Sequence, residues 1–185
     1  MRVLLAASGS VAALKVPQLA DFLVRADHEV QIIVTESADK FLECEAKVPL
    51  NVRVWRDADE WTTWQKRGDP VLHIELRKWA DVLVLAPLSA NTLAKITIGL
   101  CDNLLTNVAR AWDYNHCWLV LAPAMNTYMW ESDITRAQMQ QVSSRHNVRV
   151  VPPVSKTLIC GDIGVGAMAD VQEIVACVNG LNHTA

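Results

Sequence analysis

Arg2-Val3-Leu4-Leu5-Ala6-Ala7-Ser8-Gly9-Ser10-Val11 decides the fold. Behind Arg2 runs an unbroken apolar series, with none of the alternation that a half-exposed strand shows. Strands covered on both faces have that pattern, and they belong to parallel sheets. Ser8-Gly9-Ser10 then permits a tight turn, and residues 11–25 repeat their apolar positions at helical spacing. The same rhythm recurs downstream. Residues 29–35, 81–86, 118–122 and the shorter 148–151 read as further strands, and 90–99, 102–112, 133–145 and 171–178 as helices. Strand–helix alternation implies right-handed crossovers and an α/β fold with a doubly wound parallel sheet. No linker, repeat or low-complexity block interrupts residues 1–185, which predicts a single domain. Residues 44–69 break the rhythm and give no assignment. Trp55, Trp61 and Trp64 lie there and fit either the cover of a core edge or a contact between subunits.

Composition narrows the function. The net charge is −3 with no run of Lys or Arg, whereas nucleic acid or an anionic membrane requires a concentrated basic face. No apolar stretch reaches the ~20 residues that cross a bilayer, and the first apolar run is too short for a secretion signal. A cytoplasmic enzyme is expected, with neither nucleic acid nor membrane as partner. The five cysteines are scattered, without paired metal-ligand spacing, so they are expected as thiols, mostly small core residues, with no metal site.

In open α/β sheets ligands bind beyond the carboxyl ends of the strands, and the chemically distinctive residues come directly after strands here. Ser8-Gly9-Ser10-Val11 joins a tight turn to a helix start, a plausible anion site without the GxGxxG pattern. Thr35-Glu36-Ser37 is hydroxyl-rich but equally a simple helix cap. Ser89-Ala90-Asn91-Thr92 opens a helix with small polar groups suited to a cofactor, and Asp102 or Asn103 can cap the next helix. Asn126 stands between Met125, Met129 and Trp130, an amide in apolar company that can bind a carboxylate or carbonyl. His73 sits among aliphatics, where a packing role is the commoner one. Cys160-Gly161-Asp162-Ile163-Gly164-Val165-Gly166 reads as a mobile loop whose closure would exclude water and bring a thiol proton.

The PLSANT at 87–92, CDNL at 101–104, PAMNTYMW at 123–130 and CGDIGVGAM at 160–168, with the run from Gly9 to Ala12, resemble the homo-oligomeric flavin-containing cysteine decarboxylases. The likeness extends over nearly the whole chain, including the DPVLHIELRKWADVL segment. It implies a flavodoxin-like Rossmann three-layer sandwich, assembled as a homotrimer with FMN at subunit contacts. By that resemblance Gly9, Ser10, Val11, Thr35, Ser89, Ala90, Asn91 and Thr92 contact FMN, and Ala124 and Met125 line the same site. His73 is then the catalytic histidine, and Asn126 holds the carboxylate of a cysteine-bearing small-molecule substrate. Met129, Gly161, Gly164, Ala167 and Met168 complete the substrate site, and Cys160 is the thiol of a clamp spanning about 154–169. Asp170 stands where relatives often carry Glu, a change of little consequence.

The chemistry so implied is oxidation at the thiol-bearing carbon to a thioaldehyde, loss of CO2 to an enethiolate, and return of the hydride. Cys160 would protonate the enethiolate, which weighs against a peptidyl-cysteine decarboxylase that stops at the enethiol. A phosphatase-regulatory relative is expected to carry long acidic or disordered extensions, and this chain ends seven residues beyond Val178. A flavin prenyltransferase of similar fold would not need His73, Asn126 and Cys160 together.

Overall fold

The computed structural model describes residues 1–42, 48–157 and 163–181. β1 (Arg2–Ala7) is buried at every position after Arg2. Ser10 caps the 3-10 turn Val11–Lys15 by accepting the Ala12 N–H, and the chain runs on into α1 (Val16–Arg25) with Pro17 in its first turn. β2 (Glu29–Val34) and α2 (Glu36–Leu42) repeat the unit. Next come β3 (Arg53–Trp55), α3 (Asp57–Thr63) and α4 (Leu72–Trp79). The wholly buried β4 (Val82–Leu88) leads to α5 (Ala90–Ile98) and α6 (Leu104–Arg110). Then come β5 (Trp118–Pro123), α7 (Thr127–Glu131), α8 (Asp133–Ser143) and β6 (Val148–Val150). A hairpin of β7 (Val154–Thr157) and β8 (Ile163–Ala167) precedes α9 (Val171–Asn179).

The main sheet has the order β3-β2-β1-β4-β5-β6, and every pair in it is parallel. Setting the short edge strand β3 aside, the order is the flavodoxin-like one, reversing direction between β1 and β4. That reversal leaves a crevice at the carboxyl ends of β1 and β4. Successive side chains of β1 point to opposite faces. Val3, Leu5 and Ala7 join one core with Leu19, Leu23, Ile174 and Val178 of α1 and α9. Leu4 and Ala6 join the other with Leu72, Leu93, Leu105 and Val108 of α4, α5 and α6. Two helical layers therefore cover one sheet, which is why the strands read as continuous apolar runs.

Three sequence expectations change. Residues 44–69 contain β3 and α3. β3 has only three residues and one neighbour, Trp55 donating Nε1–H to Gln31 at 2.6 Å. Trp61 and Trp64 are exposed, at 75% and 47%, so neither covers a core edge within the chain. The second change falls at 163–167, expected as a loop, which is a strand paired antiparallel with β7. Its glycines serve close approach. A Cβ on Gly164 would meet the Thr127 side chain, and one on Gly166 would run into the Met125 carbonyl. The third concerns the cysteines: of the three described, Cys101 is exposed, while Cys117 and Cys177 are half-buried thiols packed at the edges of the two cores. Among the described residues, no helix is long and apolar enough to cross a membrane.

Candidate active site

A cavity of about 770 Å³ opens at the carboxyl ends of β1, β4 and β5. The turn after β1 forms one wall with Gly9, Ser10 and Val11, continued by Leu14 and Lys15; Phe41 of α2 borders it. Ser89, Ala90 and Asn91, the start of α5, form the second wall. Ala124, Met125, Asn126 and Met129 form the third, and Gly166, Ala167 and Met168 of the hairpin close the fourth.

Hydrogen bonds fix these walls to one another. Ser8, buried, bonds the Pro87 carbonyl through Oγ at 2.8 Å and accepts the Ser89 N–H at 2.8 Å. The turn after β1 is thereby stitched to the turn after β4. Ser89 also caps α5 by accepting the Thr92 N–H. Gly9 is required where it stands, because a Cβ there would lie 2.7 Å from the Ser37 Cβ in the first turn of α2. On the far side the Met125 N–H donates to the Gly166 carbonyl at 2.9 Å, docking the hairpin on the segment that carries Asn126. Asn126 caps α7, its Oδ1 accepting the Tyr128 N–H at 2.9 Å, and that bond orients its amide.

The single chain thus brings together Gly9, Ser10, Val11, Ser89, Ala90, Asn91, Ala124, Met125, Asn126, Met129, Ala167 and Met168. Thr35 and Thr92 stand behind the walls. Thr35 is buried with Oγ1 accepting the Ala38 N–H, and Thr92 is buried in the first turn of α5. Gly164 packs against Thr127. Cys160 and Gly161 lie outside the described residues. His73 does not line the cavity: it sits in the first turn of α4, bonded through Nδ1 to Glu60 of α3. Of the described thiols, burial pushes both Cys117 and Cys177 up, away from thiolate chemistry.

Four residues here were not singled out from the sequence. Lys15 stands one helical turn after Val11, a spacing that would have pointed to it once the turn was suspected of binding anions. Leu14 and Phe41 carry no signal, since apolar residues in amphipathic helices read as core. Ser8 was quoted only as part of the turn, and its stitching role needs the β4 neighbour to be visible.

The donors and walls suit a phosphate-bearing cofactor with a flat ring. Hydroxyls of Ser10 and Ser89 and the amide of Asn91 cluster where helices begin, which favours an anion and a polar chain. Met125, Met129, Met168 and Phe41 supply apolar surface, and the volume lies within the ~300–1,000 Å³ usual for such sites. Fold and site together define a flavodoxin-like α/β cofactor-binding protein.

The chain belongs to the Flavoprotein family, which it matches over residues 1–183. It is 52% identical over 178 residues to the phosphopantothenoylcysteine decarboxylase of Oryza sativa subsp. japonica, covering 96% of this chain and 79% of that one. The enzyme of the same name from Mus musculus is also 52% identical, over 96% and 85% of the two chains. Among solved structures, a cysteine-to-serine mutant of PPC decarboxylase complexed with pantothenoylaminoethenethiol superposes with a TM-score of 0.89 at 50% identity, covering 96% of each chain. The FMN binding protein AtHal3 gives 0.86 at 51% identity, over 96% and 94%.

Proposed function

We propose that this chain is a phosphopantothenoylcysteine decarboxylase, releasing CO2 from 4'-phosphopantothenoylcysteine to give 4'-phosphopantetheine, a step of coenzyme A synthesis. The observation that carries it is Asn126, held by its own helix cap between Met125 and Met129 on the wall of a cofactor-sized cavity, in a chain half identical to enzymes of that name. Residues 1–185 act as one flavoprotein unit with a clamp at about 154–169, in the cytoplasm.

FMN fits the first two walls, held by Gly9, Ser10, Val11, Ser89, Ala90 and Asn91, with Thr35 and Thr92 supporting these segments from behind. Bound there, FMN supplies the capacity to take a hydride from the thiol-bearing carbon and to return it. Asn126 orients the substrate carboxylate by hydrogen bonds from its amide. A full positive charge there would hold the carboxylate in place and oppose its departure as neutral CO2. Met129, Ala167 and Met168 surround the acyl-cysteamine portion and exclude water, with Gly161 and Gly164 in the clamp. His73 serves the oxidation and decarboxylation steps as base or electrostatic partner. Cys160 gives its proton to the enethiolate.

His73 lies off the cavity of its own chain, which accords with a homotrimer in which His73 of one protomer reaches the cavity of its neighbour. The exposed Trp61, Trp64 and Val71 flank it in sequence and supply apolar surface for that contact. The test is to load purified protein with FMN, add 4'-phosphopantothenoylcysteine and follow the product by mass. Loss of one CO2 with a saturated product supports the assignment; a flavin-loaded protein that leaves the substrate intact refutes it.

A further inference from the structure

Glu60 is a carboxylate in an unusual place. It is 8% exposed, in a short helix of an otherwise solvent-facing segment. Burying a carboxylate is unfavourable unless donors satisfy it. Two side-chain donors do so, one per oxygen. Oε1 bonds His73 Nδ1, and Oε2 accepts from Asn107 Nδ2 at 3.1 Å. α3 is held in place for this by Asp57, one turn earlier on the same face, whose Oδ1 accepts the Leu104 N–H at 2.9 Å at the start of α6. Three helices are thus tied so that one carboxylate meets one imidazole.

We infer that Glu60 is the positioning residue of His73: it fixes the ring's orientation and tautomer and leaves Nε2 as the nitrogen that works, while Asn107 fixes Glu60. This rests on the decarboxylase reading, in which His73 is catalytic. An ionised carboxylate only accepts, so the bonded Nδ1 must carry the proton, and in the neutral ring Nε2 then keeps the lone pair. The His73 side chain is 25% exposed against 10% for Glu60, so the imidazole has an open side while its partner is enclosed. A packing role alone explains this poorly, because an apolar residue of the same volume would fill the site without the cost of a buried charge.

The experiment uses the full-length, FMN-loaded protein labelled with 15N-histidine. The wild type should show His73 with Nδ1 protonated and Nε2 unprotonated in its neutral form. Glu60→Gln should let the amide donate to Nδ1, shift the ring toward the Nε2–H tautomer and lower kcat by about 10²-fold, with KM and FMN content unchanged. Glu60→Ala should lower kcat at least as far and leave the ring as a tautomer mixture. A wild-type His73 in the Nε2–H form overturns the inference whether or not the variants fold. So does Glu60→Gln with wild-type kcat. His73→Asn separates the two claims: if it abolishes turnover while Glu60→Gln does not, only the positioning role falls; if it turns over normally, the catalytic reading falls as well.

Discussion

Gly166→Ala places one methyl group where the hairpin meets the segment that carries Asn126. An ideal Cβ there runs into the carbonyl oxygen of Met125 and lies 3.3 Å from both the Asn126 carbonyl carbon and the Thr127 nitrogen. All three are backbone atoms, so no rotamer change relieves the contact, and the hairpin must back away. Overpacking of this kind costs about 1–3 kcal/mol, and stretching the Met125 N–H to Gly166 hydrogen bond about 1 more, giving about 2–4 kcal/mol against the docked hairpin. That is about 30- to 1,000-fold in the ratio of docked to undocked hairpin. Ala167 and Met168 would retreat from the cavity, while the six-stranded sheet, to which β7 and β8 are not paired, keeps its own contacts. Steady-state decarboxylation with FMN content measured in parallel reads the effect. The expected result is a loss of about 30-fold in kcat/KM, the low end of that range, with FMN still bound. A flavin-replete Gly166→Ala protein with wild-type kcat/KM would refute the claim that this contact docks the substrate-side wall.

Ser8→Ala leaves the buried Ser89 N–H without its acceptor and takes one of two hydrogen bonds from the Pro87 carbonyl, which keeps the Ser8 N–H. It should therefore destabilise by about 1–3 kcal/mol and weaken FMN retention; urea unfolding and flavin release measure both. Cys160→Ser should release CO2 and accumulate the enethiol, and mass analysis showing normal saturated product would remove Cys160 as proton donor. Burial raises the Asp57 carboxyl above its ordinary 3.8, so its proton is held better in the folded chain than in the unfolded one. The resulting penalty is fully present above the folded pKa and vanishes below the unfolded one. Asp57→Asn, whose amide oxygen can still accept the Leu104 N–H, should therefore be the more stable protein at pH 7. Urea midpoints should converge with the wild type as the pH falls toward 3.8.

The sheet was legible because its central strands are buried on both faces and announce themselves as apolar runs, as β1 and β4 show. β3 was not, since three residues at an edge carry too little pattern for a period to emerge. The hairpin was misread for a physical reason: Gly164 and Gly166 look like loop residues, but the strand needs them because Thr127 and Met125 press against it. Much of the cavity's lining was legible in the turns at the carboxyl ends of the strands, since Gly9, Ser89 and Asn126 mark three of its walls. Glu60 was invisible in sequence. It lies 13 residues before His73, and its partner Asn107 lies 47 beyond it, so only the packing of α3, α4 and α6 brings them together.

Mixing two inactive proteins tests the central claim most directly. His73→Asn and Asn126→Ala chains, each expected to be inactive, are unfolded and reassembled together at equal amounts with FMN, which yields hybrid oligomers if the chain assembles as the proposed homotrimer. If His73 of one protomer serves the cavity of its neighbour, about a quarter of the sites in randomly mixed trimers regain both side chains, and decarboxylation returns to about that fraction of the wild type. If the two residues act within one chain, no site recovers both, and hybrids of correct size and flavin content with no activity would contradict the account.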